Sequence, residues 1–109
     1  MDVAKLIESC KKGDMEAYGK LVEKYMKKAY NTALYFTKDP NDAWDISQES
    51  FIRAWKGMKT FREGKAFFPW LYTIIKNEAY KKFRREKKLV NKKEVPMEVV
   101  SSPEDNLID

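Results

Sequence analysis

From Val3 to Phe83 the apolar residues recur three and four positions apart, and nowhere does the two-residue alternation of a half-buried strand persist. That periodicity dictates an all-α chain, a compact bundle of about four helices. Val3, Leu6, Ile7 and Cys10 stripe a short first helix, which Gly13 stops. Asp14 is placed to cap a second helix running from Met15 to about Phe36. Its stripe of Tyr18, Leu21, Val22, Tyr25, Met26, Ala29, Tyr30, Ala33 and Leu34 is broad enough to meet more than one neighbour, so we read it as the central helix. Lys38-Asp39-Pro40 ends it, because the residue before a proline resists helical backbone. Asp39 followed by Pro40 also starts a third helix, which runs to Lys56 or Met58. In the break from Thr60 to Lys65, Gly64 is free to turn left-handed. A fourth helix begins near Ala66, tolerates Pro69 in its first turn and continues to about Lys88.

A chain of 109 residues accommodates one such domain, which we place at residues 1–90. Residues 91–109 hold Pro96, Ser101, Ser102, Pro103 and five acids without a periodic apolar face, the composition of an acidic, flexible interdomain linker. Charge is distributed unevenly: residues 76–93 carry nine Lys/Arg against two Asp/Glu, and residues 94–109 carry none against five. A basic block beside an acidic segment suits a polyanion site next to a linker, although a solvated helix end has the same composition.

Cys10 is the only cysteine and there is no histidine. An intrachain disulfide, the usual zinc ligand sets and histidine acid/base catalysis are therefore excluded. No glycine-rich phosphate loop or closely spaced carboxylate pair in an apolar setting replaces them, so we expect no enzyme, no metal and no cofactor. No apolar run approaches the ~20 residues of a membrane-spanning helix. The N-terminus lacks the basic start and apolar stretch of an export signal. The expectation is a cytoplasmic protein without membrane insertion.

Two helices have outer faces unlike those of a plain bundle. At about 100° per residue the third helix turns Ala43, Ser47, Phe51, Ala54 and Met58 inward, with Trp44 and Trp55 at the margin. Asp45, Gln48, Glu49 and Ile52 face the other way, and no positive residue occurs from Asp39 through Ile52. Acids near a helix N-terminus complement its dipole, and one exposed isoleucine is ordinary. The same face would also dock a basic partner helix. The fourth helix turns Leu71, Tyr72, Ile75, Ala79 and Phe83 inward. Its outward side carries Trp70, Thr73, Asn77, Lys81 and Arg84, flanked by Ile74 and Tyr80. Aromatic rings stack on bases, an amide pairs with a base edge and cations neutralise phosphates, so the strip suits unstacked single-stranded nucleic acid. Phe61 and Arg62, just before it, could complete a pocket around an extruded base, whereas Phe67 and Phe68 suit the core at the helix start.

The string DAWDISQESFIRAWKGMKTFREGKAFFPWLYTIIKNEAYKKFRR, Asp42 to Arg85, contains Asp-Ala-x-Asp-x-x-Gln-Glu-x-Phe, Arg-Ala-Trp, Phe-Arg and Trp-Leu-Tyr-x-Ile-x-x-Asn. It closely resembles the second conserved region of bacterial sigma factors of the extracytoplasmic-function group. The likeness extends over about Val3 to Lys88, since Lys11 to Tyr25 is similar to that family's opening. The resemblance implies that Asp45 to Ile52 dock on the β′ clamp helices of core RNA polymerase, with Gln48 and Glu49 as leading contacts beside Asp45 and Ile52. It implies that Phe61 to Arg85 help open promoter DNA and read the single-stranded non-template strand of the minus-ten element. Phe61 and Asn77 would touch bases, and Arg62, Trp70, Lys76, Lys81, Arg84 and Arg85, with Thr73 beside them, would touch the strand or its phosphates. An anti-sigma factor is a further partner that the resemblance allows. Trp44 stands where the family often has an acid, and Ser47 where it often has an apolar residue. Such factors also carry a second, helix-turn-helix domain after the linker; its absence here implies a piece of a longer protein. The alternatives are a helical protein-interaction module that has lost DNA binding, or an RNA-binding helical domain.

Overall fold

The computed structural model describes residues 2–90, so the linker expected at 91–109 lies outside the described residues. Helices α1 (Val3–Lys11), α2 (Met15–Thr37), α3 (Pro40–Lys56) and α4 (Phe67–Val90) follow in order, with a 3-10 turn at Met58–Thr60 between α3 and α4. No strand occurs among the described residues.

Each of the first three helices starts on an aspartate cap that satisfies amides the first turn leaves open. Asp2 accepts from the Ala4 amide, Asp14 from Ala17, and Asp39 from Asn41 and Asp42. Pro40 occupies the first turn of α3, where its missing N–H costs nothing. Gly13, at φ 94°, carries the chain from α1 into α2. The stop of α2 is achieved by Lys38, which takes the left-handed conformation at φ 59° and donates its amide to the Leu34 carbonyl. Proline explains why the helix cannot continue, and Lys38 supplies the turn.

As the broad stripe predicted, α2 is central and packs against all three other helices. Leu21, Ala29, Ala33 and Phe36 of α2 are wholly buried, as are Ala43 and Ala54 of α3 and Leu71 and Ile75 of α4. The alanines let the backbones approach, and aromatic rings fill what remains: Phe36 against Tyr72 at 5.9 Å, and Tyr25 against Phe67 at 5.2 Å. The inward side of α3 is wider than the five expected residues, since Ile46 and Ser50 are also buried. A helix wedged between two others is covered over a wider arc than one apolar stripe indicates; here it spans about 140° at 100° per residue. Phe83 is only half-buried, near the far end of α4. No helix among the described residues is long and apolar enough to cross a membrane.

Tyr18 is tied into this core. Its hydroxyl donates to the Phe51 carbonyl at 2.5 Å, and its ring lies 5.0 Å from Trp55. Burial first, and Cys10 second, hold the phenol well above its ordinary value of 10.0. The folded state thus keeps a proton that the unfolded chain releases above the ordinary value. Stability is therefore full below that pH and declines as pH rises through it towards the folded value. Urea unfolding at intervals between about pH 9 and about pH 11 should show this decline, and Tyr18→Phe should flatten it. At neutral pH the same change should cost about 1 kcal/mol for the lost hydrogen bond. Equal alkaline slopes in parent and variant would remove Tyr18 as the cause.

Candidate nucleic-acid interface

The segment between α3 and α4 is short and internally bonded. The Thr60 hydroxyl donates to the Gly57 carbonyl at 2.7 Å, the Phe61 amide to Met58 at 3.1 Å and the Lys65 amide to Arg62 at 3.2 Å, while Gly64 takes φ 90°. Phe61 is 3% exposed, with its ring 4.9 Å from Trp70 and 6.0 Å from Phe67. Phe61, expected to help complete a pocket around a base, thus has its ring largely covered, because it turns in to close the end of the core. It lines a surface depression of about 430 Å³ together with residues that include Arg62, Lys65 and Trp70. Phe67 and Phe68 are buried in the first turn of α4, as expected of core residues.

Trp70 is half-buried and stands at the head of the outward strip of α4, beside the depression. Thr73, Asn77 and Arg84 follow it and are exposed. Arg62 and Arg85 are exposed as well. The two lysines are more constrained than sequence reasoning anticipated. Lys81 lies 3.2 Å from a Glu78 carboxylate oxygen, and the Lys76 ammonium sits 6.0 Å from the Tyr72 ring centroid. The strip therefore presents an indole, a hydroxyl, an amide and an arginine along one line. The Thr73 hydroxyl donates back to the Pro69 carbonyl at 3.2 Å.

On α3, Asp45 and Ile52 face solvent, with Ile52 48% exposed. Gln48 and Glu49, expected to be fully outward, are each half-buried because they lie on opposite flanks of the face. Gln48 leans on α2, its amide nitrogen 3.7 Å from the Met26 sulfur. Glu49 leans towards α4, 3.5 Å from Arg53, whose Nε is itself held 2.6 Å from Glu78. A second pair, Lys82 with Asp42 at 3.4 Å, also joins α3 to α4. The hydrogen bond to Glu86, then Asp42, raises the Lys82 ammonium above its ordinary value against the opposing effect of burial. Trp44 is 52% exposed and extends the apolar part of the face beyond Ile52.

Sequence reasoning missed Glu78, whose side chain is 11% exposed between Arg53 and Lys81. The available signal was its position as the one acid between Lys76 and Arg85. A single acid on the flank of a basic helix is well placed to hold a neighbouring helix's cation.

Comparison with known proteins identifies the family. Residues 21–89 match the Sigma-70 region 2 family. The chain is 39% identical over 74 residues to the RNA polymerase sigma-H factor of Pseudomonas aeruginosa, covering 68% of this chain and 38% of that protein. It is 34% identical over 87 residues to the ECF RNA polymerase sigma factor SigW of Bacillus subtilis, covering 80% of this chain and 46% of the other. The chain thus spans less than half the length of these curated relatives. Among solved structures, an engineered region 2 of sigmaE in complex with GTAAAA superposes with a TM-score of 0.78 at 27% identity, covering 84% of this chain and 95% of that one. A fold shared with that structure, and a family match running from α2 to the end of α4, place this chain in the Sigma-70 region 2 family, as a region 2 domain of an extracytoplasmic-function sigma factor.

Proposed function

We propose that the domain docks on core RNA polymerase through the outer face of α3. From the α4 strip and its preceding loop it holds the unpaired non-template strand of a minus-ten promoter element, stabilising opened DNA. The observation that carries this reading is the line of Trp70, Thr73, Asn77 and Arg84 running from the depression at Phe61. Paired bases cannot offer their faces to an indole or their Watson–Crick edges to a lone asparagine, whereas a single strand offers both. The relative solved with GTAAAA supports the same ligand class. Stacking contributes about 1–3 kcal/mol per base, enough to favour the open strand when several bases are held together. Arg62, Arg84 and Arg85 lie where phosphates would pass. On α3, Ile52 and Trp44 supply apolar area while Asp45 and Glu49 supply charge for a basic helical partner.

The test is a titration of short single strands, beginning with GTAAAA and its single-base variants, against the matching duplex. The parent should prefer the single strand. Asn77→Ala should reduce discrimination among bases. Arg84→Ala should weaken all strands alike and lower the salt slope by about 0.7 for each phosphate left without its cation. Equal affinity for strand and duplex, unmoved by either change, would support the rival interaction module that has lost DNA binding.

A further inference from the structure

Lys11 is the last residue of α1 and precedes the segment that matches the family. Its ammonium donates to three backbone carbonyls of the segment leading into α4: Met58 at 3.2 Å, Lys59 at 3.1 Å and Phe61 at 2.5 Å. A lysine ammonium has three donors, and all three have an acceptor here. These carbonyls run from Met58, the first residue of the 3-10 turn, to Phe61 just beyond its last, and the Met58 carbonyl also accepts from the Phe61 amide. The bonds to Met58 and Phe61 are part-buried, which strengthens them and makes their loss costly.

The anchored carbonyls lead directly into the depression. Phe61 and Arg62 both line it. Beyond Arg62 the chain is exposed through Ala66, turned by Gly64 and closed by the Lys65 to Arg62 bond. Such a segment has little packing of its own to fix its position. Its position is set by its two ends: the Lys11 bonds and buried Phe61 on one side, and the buried first turn of α4 on the other.

We propose that Lys11 is a positioning residue for the strand-binding loop: by tying the Met58, Lys59 and Phe61 carbonyls to α1, its ammonium sets the depression between Arg62 and Trp70. This rests on the reading of that depression as part of the DNA surface. Helix α1 is then a brace for recognition as well as a cover for the core. The requirement is for a compact cation with three divergent donors. The planar fork of arginine serves two acceptors in its plane better than three spread around a point.

The experiment compares Lys11→Met with Lys12→Met in the full 109-residue chain. Lys12 is the exposed neighbour, so both variants lose one positive charge at the same end of α1. Amide exchange is measured first, without DNA. In Lys11→Met the Thr60 and Phe61 amides, bonded to Gly57 and Met58, should exchange about tenfold faster while Leu21 and Ala29 in α2 keep their rates. Lys12→Met should leave all four unchanged, and Lys11→Arg should recover part of the protection. Single-strand titrations come second: Lys11→Met should lower discrimination among bases at the depression, and Lys12→Met should not. Unchanged exchange at Thr60 and Phe61 would overturn the brace. Equal loss of discrimination in both variants would show net charge, not positioning, to be the cause. Exchange is read without DNA, so a parent that failed to prefer single strands would remove the proposed function and still leave the brace decided. If Lys11→Met lowered helix content, Lys11→Gln, which keeps two donors without the charge, would carry the same comparison.

Discussion

Phe36→Ala is expected to lower the unfolding free energy of this domain by about 3–5 kcal/mol, the cost of emptying a fully packed aromatic site. Phe36 is 0% exposed on the last turn of α2, with Tyr35 edge-on at 5.7 Å and Tyr72 of α4 at 5.9 Å. Its ring closes the seam between the central helix and the helix that carries the outward strip, so nothing nearby can fill the space without moving α4. Domains of this size are stable by roughly 5–15 kcal/mol, so the loss is a large part of the total. Urea unfolding followed by far-ultraviolet circular dichroism measures it. Tyr35→Ala, at the neighbouring residue, which is 39% exposed, serves as the control and should stay within about 1 kcal/mol. A fall of less than about 1 kcal/mol for Phe36→Ala would mean that the seam collapses around the vacancy, and that α4 is not held by this contact.

Phe36 also shows what the sequence could and could not reveal. The ends of the helices were legible because they depend on local chemistry: aspartate caps at Asp14 and Asp39, proline after Asp39, and glycine at Gly13 and Gly64. The inward stripes of α2 and α4 were legible because a period of 3.6 residues registers the side facing a core. Phe36 continues the period of α2 at its end, but a terminal residue does not reveal from spacing alone whether another helix covers it. Ile46 and Ser50 were missed for a related reason: which flanks of α3 are buried depends on α2 and α4 both lying beside it. The 3-10 turn at Met58–Thr60, the inward rotation of Phe61 and the three bonds from Lys11 depend on long-range packing, the bonds joining residues about 50 positions apart in sequence. Charge pairing was equally invisible. Arg53 and Glu78 lie on different helices, and helical spacing relates only residues on the same one. On the candidate surfaces, Thr73, Asn77, Arg84, Asp45 and Ile52 are exposed as their spacing required, while Lys81, Gln48 and Glu49 proved to be engaged by neighbouring side chains.

Glu49→Lys should weaken binding to a β′ clamp-helix fragment by roughly a hundredfold, because like charges brought together across an interface cost several kcal/mol. The substitution also reverses one intrachain interaction, and its size decides whether the result is interpretable. Glu49 lies 3.5 Å from Arg53 with its side chain 47% exposed, and a pair that open to solvent is worth no more than about 1 kcal/mol. Arg53 keeps Glu78 at 2.6 Å, so the link between α3 and α4 survives. Helix content should therefore be unchanged, and single-strand binding intact or slightly stronger from the added charge. Raising the salt concentration should narrow the gap between Glu49→Lys and the parent, since the repulsion is screened over about 10 Å at 0.1 M. Asn77→Ala should give the converse pattern, with normal clamp-helix binding and impaired base discrimination. Paired titrations of each variant against both ligands make the comparison. A Glu49→Lys domain that bound the clamp fragment as tightly as the parent would rule out the α3 docking face. Loss of both ligands by both folded variants would show that the two surfaces are one.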